Sequence, residues 1–225
     1  LGTVRLKEIF FDQNDIEGAI KYIDTSLESF FSTIKPTTLI GIGGTFRAIS
    51  TAIMELTDYP YNKLHAYESN IDIFLEFINN ILLADEMQLK NLGIKEDRFD
   101  IIKPGALILQ RVLKHLDITK TITSGVGVRE GVYLADLLRG SKDKFPANYN
   151  TSIRYLLDTH LTQKFFANNL TRVSKNIFDL TSQYLNIDKR YKKELTIAAK
   201  LSTIGSNIHF YSMNKHSYYL IQGAL

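Results

Sequence analysis

Thr37-Thr38-Leu39-Ile40-Gly41-Ile42-Gly43-Gly44-Thr45-Phe46-Arg47-Ala48-Ile49-Ser50 is the stretch of sequence that decides the fold of this chain. An apolar run rich in β-branched residues leads directly into a glycine-rich turn, and the turn leads into a helical pattern. The order strand, tight turn, helix predicts one unit of an α/β domain. Phe46, Ile49, Ile53 and Leu56 recur at helical spacing, so we expect them to face a core.

The glycines at 41, 43 and 44 permit positive φ angles and let the backbone approach a ligand closely. At the start of a helix, unpaired amides and the helix dipole together favour an anion, above all a phosphate. Arg47 lies off the apolar side, where its guanidinium could reach that phosphate. The alternative is a purely structural turn. The stretch is neither a P-loop nor a dinucleotide fingerprint, because it lacks the Lys-Ser/Thr pair and the third glycine.

A second copy of this pattern follows later in the chain. Residues 118–123 read as a β-branched strand, Ser124-Gly125-Val126-Gly127 as a turn, and a helix begins near Arg129. Arg129 could therefore meet the same ligand as Arg47, and a structural salt bridge at the helix start is the alternative. Glu130 falls in the first helical turn, where the dipole favours a carboxylate regardless of function. Two such units predict a sheet flanked by helices, with the ligand at the loop ends.

Three other segments of the first half have specific predictions. Residues 4–11 alternate and then become fully apolar, which is typical of a strand, and residues 61–67 read as a short extended piece. Residues 98–105 read as a loop that feeds a helix from about Ala106 to Leu116, with an Arg98–Asp100 ion pair fixing the loop.

The polar stretch from 140 to 150 is the predicted domain boundary. We expect an α/β domain over 1–140 and a small, truncated all-α domain over 147–225, because strand signals vanish after the boundary. Helical patterns there cover 153–160, 161–185 and 189–204, and a last helix begins near His216. The basic cluster at Lys189, Arg190, Lys192 and Lys193 is either a solvated helix face or a track for a polyanion.

Composition excludes several kinds of site. The 225 residues contain no cysteine, which removes disulfides and thiolate zinc sites and permits a reducing, cytoplasmic location. The five histidines form no metal-ligand spacing. The net charge of +3 is too small to argue for DNA or other nucleic acid by itself, and no apolar run is long enough to span a membrane. No Ser/His/Asp pattern is present, and no carboxylate stands out as a general base.

Six segments in register resemble the exopolyphosphatase / guanosine pentaphosphate phosphohydrolase family, and together they cover essentially the whole chain. They are Leu1-Gly2-Thr3-Val4-Arg5-Leu6-Lys7-Glu8, Gly41-Ile42-Gly43-Gly44-Thr45-Phe46-Arg47-Ala48, Asp97-Arg98-Phe99-Asp100-Ile101-Ile102-Lys103-Pro104-Gly105-Ala106, Ser124-Gly125-Val126-Gly127-Val128-Arg129-Glu130-Gly131, Ala198-Ala199-Lys200-Leu201-Ser202-Thr203-Ile204-Gly205 and Lys215-His216-Ser217-Tyr218-Tyr219-Leu220-Ile221.

The resemblance implies a ribonuclease-H-like domain of the actin/sugar-kinase superfamily, the second of a pair, followed by part of a helical domain related to HD phosphohydrolases. Gly43, Gly44, Thr45 and Arg47 would then form a loop that faces the phosphate cleft. The family's catalytic glutamate would lie before Leu1, so the chain would hold no catalytic residue of its own. Since Leu1 is not a methionine, we expect a fragment of a longer protein.

The activity that the resemblance implies is hydrolysis of a phosphoanhydride, with release of terminal phosphate from polyphosphate or of the 5′ phosphate from guanosine pentaphosphate. It also implies a divalent metal, with Mg²⁺ expected, and a cytoplasmic homodimer as the full-length protein. Where an HD domain has His-Asp this sequence has Ser202-Thr203, and it has Asn169 in place of an earlier histidine. We therefore expect no metal in the helical part and no hydrolysis by the fragment alone.

Two other classes of function stay open at this stage. One is a kinase of the same superfamily that uses the glycine loop for a nucleotide. The other is a non-catalytic module in which the helical part serves dimerisation or regulation. The residues that precede Leu1 in the gene product would separate a hydrolase from a kinase.

Overall fold

The computed structural model describes residues 1–33, 35–145 and 150–224. The chain divides into two compact units, Leu1–Asp136 and Leu137–Leu225. The predicted second domain was placed from 147, and its first three residues, like Leu225 at its end, lie outside the described part. Within the described residues, no helix combines the length and the apolar character that crossing a bilayer requires.

The first unit is mixed α/β. Its strands are β1 (Thr38–Gly41), β2 (Tyr67–Asn70) and β3 (Lys120–Thr123). Its helices are α1 (Thr3–Ile9), α2 (Ile16–Thr33), α3 (Gly44–Leu56), α4 (Ile71–Leu83), α5 (Glu86–Asn91), α6 (Phe99–His115) and α7 (Val128–Leu137), the last of which ends at the unit boundary. The predicted α/β class is confirmed, and so are the strand, turn and helix order at 37–56 and its second copy at 118–137.

The three strands form one small sheet in the order β1-β3-β2. β1 runs parallel to β3 with Gly41 opposite Thr123, whereas β2 runs antiparallel to β3. The extended piece expected at 61–67 begins only at Tyr67 and continues to Asn70, where the Asn70 side chain caps α4 by accepting from the Asp72 amide.

Helices α3, α4 and α6 enclose the main core with the sheet. Phe46, Ile49 and Ile53 are buried as predicted, and they pack with Phe74 and Ile78 of α4. Leu56 is 68% exposed, so its predicted core position is wrong. It is the last residue of α3, and it does not belong to the buried core cluster.

The predicted strand over residues 4–11 is wrong: helix α1 ends at Ile9, and a short 3-10 helix begins at Phe11. Only Leu6 is buried, in a second cluster with Ala19, Ile23 and Leu107, while Val4 is 55% exposed. The alternation over these residues was too short to separate the period of a strand from that of a helix. Packing of one leucine against α2 and α6 decides the conformation.

Helix α6 begins at Phe99, so the predicted loop over 98–105 is also wrong. Pro104 lies inside the helix, where it removes one backbone hydrogen bond. Burial of Ile102, Ala106 and Leu107 along the same helix offsets that loss. The helix continues to His115, close to the predicted end.

A partly buried ion pair joins α6 to α2. Arg111 donates from Nε to Asp24 Oδ1 at 2.7 Å and from Nη2 to Asp24 Oδ2 at 2.6 Å, a two-pronged geometry that matches guanidinium to carboxylate. His115 Nε2 lies 3.3 Å from Asp24 Oδ1. These contacts fix the register of the two longest helices of the first unit.

The described part of the second unit contains only helices, as predicted. They are α8 (Thr151–His160), α9 (Lys164–Thr181), α10 (Tyr191–Leu201) and α11 (Met213–Ala224). Leu156, Leu201 and Ile204 form its buried core. Gly205 lies so close to α11 that an added Cβ would overlap the Met213 carbonyl oxygen and the Ser217 amide.

Candidate functional site

The two glycine loops lie side by side because they follow parallel, neighbouring strands. Gly41 ends β1 and Thr123 ends β3 in register, and the Ser124 amide donates to the Gly41 carbonyl at 2.8 Å, one step beyond the sheet. The carboxyl ends of parallel strands are the usual place for a ligand in an α/β fold. The sequence therefore predicts correctly that the loops share one edge of the sheet.

The first loop presents the start of α3. Gly43 is the N-cap residue with φ of 105°, a left-handed region value that favours glycine, and no side chain caps the helix. The first intrahelical bond runs from the Arg47 amide to the Gly43 carbonyl at 3.1 Å. The preceding amides at the helix start thus point outward at the positive end of the dipole.

Thr45 packs against α6 beside this helix start. Its Cγ2 and Oγ1 lie 2.5 and 2.6 Å from the position that a Cβ on Gly105 would occupy. Any larger residue at 105 would push the threonine and the loop away from α6. Gly105 is therefore one of the residues that set the position of the glycine loop, and no local sequence pattern signals that role.

Arg47 lies between the two loops. Its Nε donates to the Ser124 carbonyl at 3.2 Å, and its Nη2 lies 3.5 Å from the Cβ position of Gly127. The side chain is half-buried. It links the loops, and it keeps a positive charge at their junction.

Arg98 also lies beside the first loop, a position that no sequence pattern predicts. Its guanidinium lies over Gly44: Cζ is 3.2 Å from the position of an added Cβ, and Nη1 is closer still. The predicted Arg98–Asp100 ion pair is wrong, because Arg98 forms no ion pair with any described residue. Asp100 instead acts on Lys7, whose pKa is raised chiefly by a hydrogen bond to Asp12 and to a smaller extent by Asp100.

The second loop is held in place by its own Ser124 side chain and by His65, which precedes β2. Ser124 Oγ donates to the Val126 carbonyl at 2.9 Å, and the Gly125 amide donates to His65 Nδ1 at 3.1 Å. An added Cβ on Gly125 would lie 2.8 Å from the Cβ of His65. Behind the loop, Ser50 Oγ and Thr123 Oγ1 are 2.7 Å apart in the core.

Glu130 is committed to its own helix start. Its Oε2 accepts from the Gly127 amide at 2.7 Å, the carboxylate half of a capping box. The backbone amides of Glu130 and then of Gly127 hold the pKa of Glu130 below its ordinary value, and Arg129 and Arg47 add smaller effects. A carboxylate held in this state is a poor proton acceptor.

Arg129 is exposed at the first turn of α7. It forms no hydrogen bond or ion pair with another described side chain, so the structural salt bridge offered as the alternative does not form there. The structure thus brings Gly43, Gly44, Thr45, Arg47 and the Gly127 end of the second loop together. Arg129 follows two residues after Gly127, on the solvent side.

A sequence model described as the Ppx/GppA phosphatase family matches residues 1–140. The chain belongs to the Ppx/GppA phosphatase family. Its fold is similar to the crystal structure of the Aquifex aeolicus family member, with 22% identity and a TM-score of 0.49 over 66% of this chain and 48% of that one. The chain thus spans about half the length of that relative. No curated protein matches it.

The Ppx/GppA family implies a divalent metal, and the described residues of this chain offer no set of ligands that fits one. Among residues 1–33, 35–145 and 150–224, no group of three or more His, Asp or Glu side chains could hold an ion. The candidate site is built from amides and guanidinium groups, which repel a cation. Its one carboxylate, Glu130, is bonded to backbone amides.

Two positions where the resemblance predicts HD metal ligands carry hydroxyl groups that bond to the backbone. Ser202 Oγ donates to the Ala199 carbonyl at 3.0 Å, and Thr203 Oγ1 donates to the Lys200 carbonyl at 3.2 Å. Thr203 is buried. These hydroxyls bond to the carbonyls of their own helix and close the end of α10, which is a structural role.

Proposed function

We propose that this chain supplies one wall of a phosphate cleft in a hydrolase that cleaves phosphoanhydride bonds. The substrate is inorganic polyphosphate, from which terminal phosphate is released, or guanosine pentaphosphate, from which the 5′ phosphate is removed. The observation that carries the proposal is the pair of glycine loops at one sheet edge, with Arg47 between them and Arg98 over Gly44.

The chemistry of this wall is recognition and charge stabilisation. Outward-pointing amides at the start of α3 donate hydrogen bonds to phosphate oxygens, and the guanidinium groups of Arg47 and Arg98 offset charge on the transferred phosphoryl group. Phosphoryl transfer needs little covalent participation by the protein but does need charge stabilised around an in-line water. Arg129, which is exposed at the first turn of α7, adds a third guanidinium to this wall when the substrate is bound.

The same wall lacks the groups that activate water. Glu130 is bonded to the Gly127 amide, and the described residues hold no carboxylate cluster for a metal. Catalysis then depends on a glutamate and a divalent metal, Mg²⁺ in our proposal, supplied by a preceding domain of the longer protein. The 225-residue chain alone binds phosphate weakly and does not hydrolyse either substrate. We further propose that the full-length protein is a cytoplasmic homodimer and that DNA is not among its ligands.

Phosphate release from polyphosphate and from guanosine pentaphosphate tests the proposal. The full-length gene product should release phosphate, and its Arg47→Ala variant should lose about tenfold to a hundredfold in kcat/KM, since a charged hydrogen bond contributes about 1.5–3 kcal/mol. Arg139→Ala, a change of the same kind outside the loops, serves as the matched control.

The 225-residue chain should release none. Release at a rate proportional to the concentration of this chain, and abolished by Arg47→Ala, would place the active site inside it and contradict the proposal. A full-length protein inactive on both substrates would contradict it as well.

A further inference from the structure

The second unit carries a strongly basic groove between α8, α9 and α10, with a volume of about 1220 Å³. Five lysines and two arginines line it, and no aspartate or glutamate does within the described part of the chain. Like charges at this density repel one another, which favours a ligand of the opposite sign. The phosphatase wall described above makes no use of this groove.

Part of this charge is compensated within the protein and part is free. Lys192 pairs with Asp179 at 2.7 Å, Arg154 with Asp158 at 2.7 Å and Arg190 with Asp188 at 3.2 Å. Four lysines of the groove form no ion pair with any described residue. They are Lys175, Lys189, Lys193 and Lys200.

The floor of the groove is apolar. Ile153 and Leu157 lie one turn apart on α8, and Ile197 comes from α10. All three are only half-buried, on the outer side of the core formed by Leu156, Leu201 and Ile204. The groove thus combines an apolar strip with a basic rim.

We propose that this groove binds an acidic, amphipathic helix of a partner protein. Such a helix places apolar side chains three and four residues apart over the floor, and its carboxylates meet the four free lysines. The apolar floor gains nothing from a bare phosphate chain. Single-stranded nucleic acid is disfavoured too, because none of the described residues that line the groove is aromatic, and bases could stack only on the guanidinium planes of Arg154 and Arg190.

Fluorescence anisotropy with labelled peptides tests the proposal on the 225-residue chain. The probe is a helical peptide of roughly 18 residues with leucines at i, i+3, i+4 and i+7 and glutamates elsewhere. The control is a peptide of the same composition in which the leucines are scattered along the sequence. The ordered peptide should bind at least about tenfold more tightly, a difference of about 1.4 kcal/mol.

Variants locate the binding. The double variant Lys189→Glu, Lys193→Glu should weaken binding of the ordered peptide by about tenfold or more, since it reverses two charges of the rim. The matched control is Lys164→Glu, Lys215→Glu, two exposed lysines outside the groove, and it should leave the affinity within about twofold. Both pairs are at the surface, so circular dichroism should show unchanged helix content.

The floor is tested separately by Ile153→Ser, which should weaken the ordered peptide and leave the scattered one unchanged. Equal affinity of the two peptides would overturn the proposal and identify a general polyanion site. So would tighter binding of polyuridine RNA or polyphosphate than of the ordered peptide, or no binding of either peptide. If Ile153→Ser fails to fold, the comparison of the two peptides on the unchanged chain still decides.

Discussion

Asp24 stabilises the first unit through the two hydrogen bonds that it accepts from Arg111 of α6. The hydrogen bonds from Arg111 hold the pKa of the Asp24 carboxyl below its ordinary value, and His115 adds to the effect. Because the folded-state pKa lies below the unfolded value of about 3.9, the pair stabilises the fold above about pH 4. That contribution is lost as the pH falls through the lower, folded-state pKa.

Asp24→Asn should therefore lower the free energy of unfolding at pH 7 by about 1 kcal/mol, since the pair is partly exposed. The variant should then lose less stability than the unchanged protein between about pH 5 and pH 2. Urea unfolding across this range measures both effects. Asp158→Asn, which removes an exposed pair with Arg154, is the control and should change little. If the free energy of unfolding changed with pH by the same amount in Asp24→Asn and in the unchanged protein, the stabilising role of the Asp24 carboxylate would be contradicted.

At the residue scale, the sequence identifies side chains near the loops but not those that arrive from a distance. The location of Arg47 off the apolar side of α3 follows from helical spacing, and Glu130 follows from the preference of helix starts for carboxylates. Arg98 lies 54 positions after Gly44 in the sequence, and no local pattern connects the two. Their contact depends on the packing of α6 against α3.

At the element scale, the connection from α10 to α11 depends on one glycine. Ser217 Oγ donates to the Ser202 carbonyl at 2.8 Å and accepts from the Gly205 amide at 2.9 Å. A Cβ on Gly205 would overlap backbone atoms of Met213 and Ser217, which cannot move as a side chain can. The two segments can approach this closely only because residue 205 has no side chain.

Gly205→Ala should therefore destabilise the second unit by about 1–3 kcal/mol, the range for overpacking. Gly131→Ala is the matched control, because nothing lies within 4 Å of the Cβ it adds. In the middle of α7 that change should raise helix propensity and stabilise by up to about 1 kcal/mol. Thermal unfolding followed by circular dichroism compares them, and a neutral Gly205→Ala would show that the α10–α11 connection repacks easily.

Elements with a strong period and clear ends were predictable, and those decided by a single contact were not. The helical spacing in α3 and the glycines of both loops correctly predict a strand, a turn and a helix in each unit. Helix α1 is only seven residues long and has one buried side chain, so its short pattern also fits a strand. Helix α6 continues through Pro104 because its buried side chains offset one lost hydrogen bond, and a local rule about proline cannot include that packing.

At the scale of the whole molecule, the order of an α/β unit and a helical unit was predictable because strand signals stop near residue 140. Family membership over residues 1–140 was predictable from motifs in register. The basic groove was visible in the sequence only as a cluster at 189–193, and its contributions from Arg154 and Lys175 required the fold of the second unit.

Our proposal requires that the start of α3, together with Arg47 and Arg98, binds phosphate. The most direct test is a titration of the ¹⁵N-labelled chain with tripolyphosphate, followed by amide shifts, in the background of Lys189→Glu, Lys193→Glu so that the basic groove does not compete. We expect the amide resonances of Gly43, Gly44 and Thr45 to shift most and to saturate together. We also expect Arg98→Ala to weaken the binding of tripolyphosphate about tenfold to a hundredfold. Two results would contradict the proposal: unchanged amide shifts in the glycine loop while the amides of other residues shift, or an unchanged affinity for tripolyphosphate in Arg98→Ala.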